Sequence, residues 1–548
     1  MTTMESGHTA RWINICAVAL LLVLGGCSGD DGTDGTAGPP GGDGISCWDL
    51  NGNGVADPEE DTNGDGVVDA LDCQLPSSIG DAAGLHKAYF TDREYEGTAS
   101  CLACHGEVGD DLLTTGHFKW EGVATSLEGA EGGIHGKNDI INNFCVAVPS
   151  NEGRCTQCHI GFGYKDASYD FGNRNNIDCF ACHDQTGTYK KAPTTAGLPD
   201  PSVDLQAVAQ SVGENGGVPT RKACLFCHAG AGGGDNVKHG DLSSDQIATT
   251  REYDVHMGVD GANLGCVDCH DVQRDADGAL LSHGIGGMPY HSVDEGNMKQ
   301  CTDCHGDRAN IHGGSTVQNT VELHDRLACQ ACHIPAFSRK LPTKVEWYWS
   351  DAGQDISPIP VDPVTGKALY DKMKGTFVWA TNVRPELRFF DGKWQKTLIN
   401  VNDKVDQLPS ENGAVVLGSP ATDYTNAAAM IYPFKTLIGN QPADKNNQTI
   451  LVPHLFGLAG GPNPYWAKYD WNLAIEDGAL AAGQTYSGEY EFVDTVSYWA
   501  VNHEIAPAEM ALGLGGSSGC VDCHGSDQVD WQALGWSGDP ILGGTRPE

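Results

Sequence analysis

The chain has 548 residues, with 73 acidic against 33 basic side chains and a formal net charge of −40 at pH 7. That balance excludes a nucleic-acid binder, which needs a basic surface, and suits solubility and cationic partners. Its 72 Gly and 26 Pro punctuate the sequence densely enough to predict short elements joined by long loops.

Residues 1–27 read as an export signal. Arg11 precedes the apolar run Ala17–Leu24, and Leu24-Gly25-Gly26-Cys27 follows. A basic flank, a short apolar stretch and small residues before a cut mark a secretory signal, and the run is too short to span a bilayer. Leu-Gly-Gly-Cys resembles a bacterial lipobox, which makes Cys27 the acylated first residue of the mature protein. Ser28, in place of Asp, points to the outer membrane, at its periplasmic or cell-surface face. Residues 28–46 form a tether. Glycine recurs at Gly29, Gly32, Gly35, Gly38, Gly41 and Gly44 around Pro39-Pro40. This is the collagen period, but over so short an acidic run an extended spacer is the expectation.

Residues 47–75 predict a calcium module. Asp49, Asn51, Asn53, Asp57 and Glu60 place oxygen ligands at positions 1, 3, 5, 9 and 12 of a loop with Gly54 at position 6. Asp61, Asn63, Asp65, Asp69 and Asp72 repeat the pattern around Gly66. Alternating carboxylates and amides close around a hard cation, and glycine permits the sharp turn. No room separates the two loops for an EF-hand helix, so the unit reads as tandem Asp-rich repeats holding two Ca²⁺. Cys47 and Cys73 bracket it and suit a disulfide in an exported protein.

Residues 76–548 carry eight copies of Cys-x-x-Cys-His. They comprise Cys101, Cys104 and His105; Cys155, Cys158 and His159; Cys179, Cys182 and His183; and Cys224, Cys227 and His228. The remaining four are Cys266, Cys269 and His270; Cys301, Cys304 and His305; Cys329, Cys332 and His333; and Cys520, Cys523 and His524. Zinc sites and dithiol redox centres also use paired cysteines, but neither requires a histidine straight after the second. The five-residue unit is the attachment signature of haem c: two thiols add to the porphyrin and the imidazole ligates the iron. Eight covalent haems are therefore expected, numbered below by motif. With porphyrins forming much of the interior, the expected fold is mainly α with extensive irregular loops, a compact octahaem domain with little β-sheet.

A low-spin haem needs a second axial ligand. Outside the signal and the motifs the histidines are His86, His117, His135, His239, His256, His283, His291, His312, His324, His454 and His503. The favoured distal ligands are His117, His239, His256, His283, His312, His324 and His503. Several precede glycine, which lets backbone approach a flat ring. Cys145 is left over between the first two motifs. Residues 334–519 hold no motif but many tryptophans, and read as a cover over the haems, a docking surface or an oligomer interface.

Gly116-His117-Phe118-Lys119-Trp120, His135-Gly136-Lys137, Asn142-Asn143-Phe144-Cys145, Gly161-Phe162-Gly163-Tyr164 and the run from Ile177 to Lys191 make residues 76–548 similar to the octahaem tetrathionate reductase family. Asp530-Trp531, Leu534-Gly535 and Gly538-Asp539-Pro540 extend the likeness to the end. The resemblance implies kinship with hydroxylamine oxidoreductase and multihaem nitrite reductases. It also implies bis-His haems as wires, and a catalytic second haem held by His159 and, on the far side, a lysine. Lys191 is preferred for that ligand, then Lys190, with Lys137 in reserve, and Cys145 is expected to line the pocket. The implied activity is reduction of tetrathionate, nitrite or hydroxylamine. Electrons would come from a donor cytochrome or a quinol-oxidising membrane protein. The alternative is a cell-surface conduit without catalysis.

Overall fold

In a computed structural model the described residues are Asp57 and Pro58 and, between 82 and 547, all but 131, 145, 194, 231, 275–279, 288–297, 307–311, 313–323, 400–403, 458–459 and 514–518. The chain divides into two units, Met1–Gln74 and Leu75–Glu548. The signal, the tether, both calcium loops except Asp57, and Cys145 lie outside the described residues. Among the described residues no helix is long and apolar enough to cross a membrane.

The motifs fold as single turns. Phe180–His183, Cys301–His305 and Cys329–His333 are one-turn helices, while Cys266–Asp268 and Cys520–Asp522 are 3₁₀ turns. The His105, His183, His270 and His524 amides donate to Cys101, Cys179, Cys266 and Cys520 carbonyls at 2.9–3.0 Å. Residues four apart share a helix face, so each turn presents its first thiol and its imidazole together. Longer helices frame the first motifs. Helix α1 (Ala82–Asp92) packs Phe90 against Val208 and Ala209 of α2 (Leu205–Ser211), which Asp204 caps by accepting from the Ala207 amide at 3.0 Å. Helix α3 (Arg221–His228), capped by Thr220, carries the fourth motif.

The expectation of a mainly α fold with little sheet is corrected here: the motif-free stretch builds a nine-stranded sheet. Its strands are β1 (Thr343–Tyr348), β2 (Tyr370–Asp371), β3 (Gly375–Ala380), β4 (Glu386–Phe390), β5 (Trp394–Lys396), β6 (Ser410–Glu411), β7 (Ala414–Pro420), β8 (Met430–Asp444) and β9 (Tyr490–Ala500). The order is β6-β7-β9-β8-β1-β3-β2, with β4 on β8 and β5 on β7. The β7–β9 and β8–β1 pairs are parallel and the others antiparallel. The long β8–β9 pair runs in unbroken register from Phe434↔Ala500 to Asp444↔Tyr490. The physical reason for the correction is that this stretch attaches no porphyrin of its own. It must bury its own aromatic and β-branched side chains, and these suit a pleated surface.

One face of the sheet buries Trp347, Trp349, Leu437 and Trp499 with Ile141, Phe144, Val146 and Val237. Trp347 and Trp349 stack at 5.1 Å. Helix α4 (Trp471–Ala481) adds Trp471, Ala474, Ile475 and Ala479 to the same core, an amphipathic stripe at helical spacing. The segments that flank the second and fourth motifs, 141–146 and 237, are thus anchored on the sheet.

Candidate functional site

Six histidine pairs stand ring to ring. Their ring centres are 6.0 Å apart in His105–His86, 6.3 Å in His228–His117 and 6.2 Å in His270–His503. The other three are 5.9 Å in His305–His256, 6.2 Å in His333–His312 and 6.1 Å in His524–His324. Two imidazoles bound to opposite sides of one metal, with bonds of about 2 Å each, have ring centres roughly 6 Å apart. The pairs therefore fit an iron porphyrin held between them. For His183 the neighbouring imidazoles are His283 and His86; His86 already faces His105, which leaves His283. His86 belonged to the eleven available histidines but not to the favoured set. Its place on α1, close ahead of the first motif, is what brings it there.

Contacts between motif thiols map which haems adjoin. Cys101 meets Cys179, Cys158 meets Cys227, Cys224 meets Cys266 and Cys301 meets Cys329 in hydrogen-bond contact. Cys182 lies near Cys224 and Cys227, and Cys269 near Cys304. Attachment points this close bring the first motif beside the third, the third beside the fourth, and the fourth beside the fifth. The fifth motif adjoins the sixth, the sixth the seventh, and the second the fourth, so haems on these motifs would adjoin in the same order.

The second motif differs from the others. The His159 ring is buried among Phe118, Trp120, Tyr164 and Tyr169, with centres 5.2–5.4 Å away. Its Nε2 meets the Phe118 carbonyl at 2.5 Å, and its Nδ1 is buried without a close hydrogen-bond partner among the described residues. Burial, with the Lys191 cation, pushes the imidazole down to about 4. A cavity of about 360 Å³ opens beside it, lined by Cys158, His159, Phe180, Lys191, Leu225 and Cys227.

The lysines around this site separate by environment. Lys191 is buried, its Nζ 2.8 Å from the Asp178 carboxylate, donating to the Gly161 carbonyl at 3.2 Å and also to that of His159. Lys190 is half exposed, 3.5 Å from Asp200. Lys137 lies over the Trp120 ring at 5.0 Å. Lys238, which the sequence reading did not select, has its ammonium enclosed over Trp499 at 5.5 Å. Burial and the Lys137 charge push it down to about 7, against the opposing pull of the Cys158 and Cys227 thiols. Among the described residues no carboxylate pairs with it. Lys396 lies over Trp394 and Trp499 at 4.2 and 5.7 Å, held far below the usual lysine range by burial and by Lys238. The one local signal for Lys238 is the glycine-rich run 230–234 that follows the fourth motif.

The other histidines go elsewhere. His239 packs against Trp499 at 5.5 Å, with its Nε2 buried and unpartnered, and no histidine ring pairs with it among the described residues. His135 Nδ1 meets Asp139 at 2.6 Å. His454 is buried, donating to the Phe456 carbonyl at 3.0 Å with Asp477 3.6 Å away. His291 lies outside the described residues. Cys145 lies outside the described residues; of its chain neighbours, Phe144 packs at a tilt against Trp499 at 5.4 Å and Val146 adopts φ 63°.

The family model for bacterial cytochrome c matches residues 344–527, spanning the sheet and the last motif. The crystal structure of an octahaem cytochrome c from Shewanella oneidensis is similar, with a TM-score of 0.72 and 37% identity over 84% of this chain and 99% of that one. A protein of Archaeoglobus fulgidus described as uncharacterized is 26% identical over 33% of this chain and 75% of its own length. With the motif turns and the facing imidazoles, this likeness makes the chain an electron-transfer protein with covalently bound haem c, a member of the multihaem c-type cytochrome family.

Proposed function

We propose that this exported cytochrome carries eight haems and is a reductase whose second centre is catalytic. Seven centres are held by His105/His86, His183/His283, His228/His117, His270/His503, His305/His256, His333/His312 and His524/His324. With two imidazoles at each, these centres would leave no position for substrate and would serve as electron carriers. Bound haem supplies reversible one-electron storage at each centre and, where one axial ligand is displaceable, a place for a small oxidised compound to accept electrons.

The observation that carries this reading is Lys238. An amine must lose its proton to ligate a metal, and desolvation is what removes it. Lys238 Nζ is pushed down to about 7 beside Cys158 of the second motif, so a neutral amine is accessible at physiological pH. Lys191, ion-paired to Asp178, instead braces the backbone at His159 and Gly161. We therefore place Lys238 rather than Lys191 or Lys190 as the far-side ligand opposite His159. Lys137 and Lys396 add cationic capacity. An arriving oxyanion favours protonation of Lys238 and Lys396, and these protons would then be available to nitrite reduction, which consumes protons, whereas tetrathionate takes up two electrons and no proton to give two thiosulfates. The substrate class is a small sulfur or nitrogen compound: tetrathionate, nitrite or hydroxylamine. Cys27 anchors the mature chain by lipid to the outer membrane, and the two Asp-rich loops hold structural Ca²⁺.

Low-temperature EPR of the holoprotein tests the reading. Nitrite should perturb one haem signal in the wild type. Lys238→Leu should convert that signal to a high-spin or open form, and Lys191→Leu should leave its ligation unchanged. Spectra that stay low-spin and indifferent to nitrite in the wild type and both variants would instead make the chain a conduit.

A further inference from the structure

The axial imidazoles differ in what holds their second nitrogen. Asp111 faces His283: its Oδ2 lies 3.0 Å from Nδ1 and accepts the His283 amide at 2.6 Å, while Oδ1 accepts from Ser282 Oγ at 2.8 Å. Asp241, buried at 1% exposure, does the same for His503. Its Oδ2 lies 3.2 Å from Nδ1 and accepts the Asn502 and His503 amides at 2.7 and 3.0 Å. Asp539 Oδ1 lies 2.8 Å from His524 Nδ1, and its Oδ2 accepts the Gly525 amide at 2.5 Å. Three further rings use neutral acceptors: His86 to the Ala82 carbonyl, His183 to that of Gly217 and His270 to that of Gly286, each at 2.8 Å. The rings of the fourth pair, His117 and His228, hydrogen-bond to none of the described residues, and the Lys137 cation lies near His228.

A carboxylate on the outer nitrogen draws the ring proton and makes the inner nitrogen a stronger donor. A stronger donor and a nearby negative charge favour the ferric state, while nearby cations favour the ferrous state. The thiol contacts place the third and fifth haems on either side of the fourth, and the second beside the fourth.

We propose that Asp111 and Asp241 are potential-setting residues that hold the third and fifth haems below the fourth, so that electrons collect at the centre adjoining His159 and Lys238. The ring proton stays shared between Nδ1 and the carboxylate. Each transfer oxidises the third or fifth iron by one electron and reduces the fourth by one, with electrons supplied by an external one-electron donor protein. The direction of flow rests on the reductase reading above; the ordering of potentials does not.

The test is spectroelectrochemical titration of the full-length holoprotein without substrate, for the wild type, Asp111→Asn, Asp241→Asn and Asp539→Asn. Asp111 is only partly buried and serves where loss of the buried Asp241 impairs folding. His117→Met marks the fourth haem by moving its component upward. Each Asp→Asn variant should shift one haem's share of the absorbance to higher potential and leave the rest in place. In the wild type, the component marked by His117→Met should lie above the components moved by Asp111→Asn and Asp241→Asn. Superimposable titrations for Asp111→Asn and the wild type, or a fourth haem lying below the third and fifth, would overturn the proposal. Shifts as expected together with nitrite-insensitive EPR would keep this ordering and remove the reductase reading.

Discussion

Lys435 and Lys191 are both buried lysines, and their neighbours give them opposite chemistry. Lys191 meets a carboxylate. Lys435 donates to neutral acceptors, Thr343 Oγ at 2.6 Å and the Val237 carbonyl at 2.5 Å, and burial pushes it down to about 7 against the pull of Asp241. Between about 7 and the ordinary lysine value of 10.5, the unfolded chain holds a proton that the folded chain has released. Stability therefore rises with pH across that window and is lost as pH falls through 7, with a slope of at most about 1.4 kcal/mol per pH unit. Urea unfolding midpoints should climb from pH 7 to 9 in the wild type and climb less steeply in Lys435→Met, where Lys238 and Lys396 still contribute. The same contrast explains what sequence could show of the site. A lysine in an acidic chain reads as a solvated charge. Only the core around Trp347, Trp499 and Phe144 reveals which lysines have lost their water.

At the scale of elements, the motif-free stretch matters because strand β8 carries the site's backing. Asn143 reaches across to donate to the Leu437 carbonyl at 2.6 Å. Gly439 lies opposite Trp347 of β1 and Thr495 of β9, where a Cβ would collide with the Trp347 carbonyl. Gly439→Ala should cost about 1–3 kcal/mol through overpacking, read as a lowered thermal midpoint of the holoprotein. A wild-type midpoint would mean that β8 and β1 can part without penalty. The expectation of little sheet follows from porphyrins supplying the interior, an argument that holds for the motif-bearing segments and fails where the chain has none, as in Tyr490–Ala500. The motif turns, by contrast, were legible, since five consecutive residues carry both thiols and one imidazole.

At the scale of the whole molecule, a chain of net charge −40 gathers several of its few lysines around the second motif, where burial holds Lys238 and Lys396 below the usual lysine range. The N-terminal expectations lead to one measurement. Cys27→Ser should appear in the soluble fraction, with loss of fatty-acid labelling and an unchanged haem spectrum, while Ca²⁺ chelation should leave the wild type in the membrane fraction. A variant still held and labelled at the membrane would refute the anchor. Sequence by itself determined the covalent chemistry, because thioether attachment and the proximal imidazole are specified within each five-residue turn. The tertiary structure alone decided which histidines face each other, which haems adjoin and which lysine is desolvated. Those are contacts between segments far apart in the chain, set by packing of α1, the motif turns and the sheet, and no local pattern encodes them.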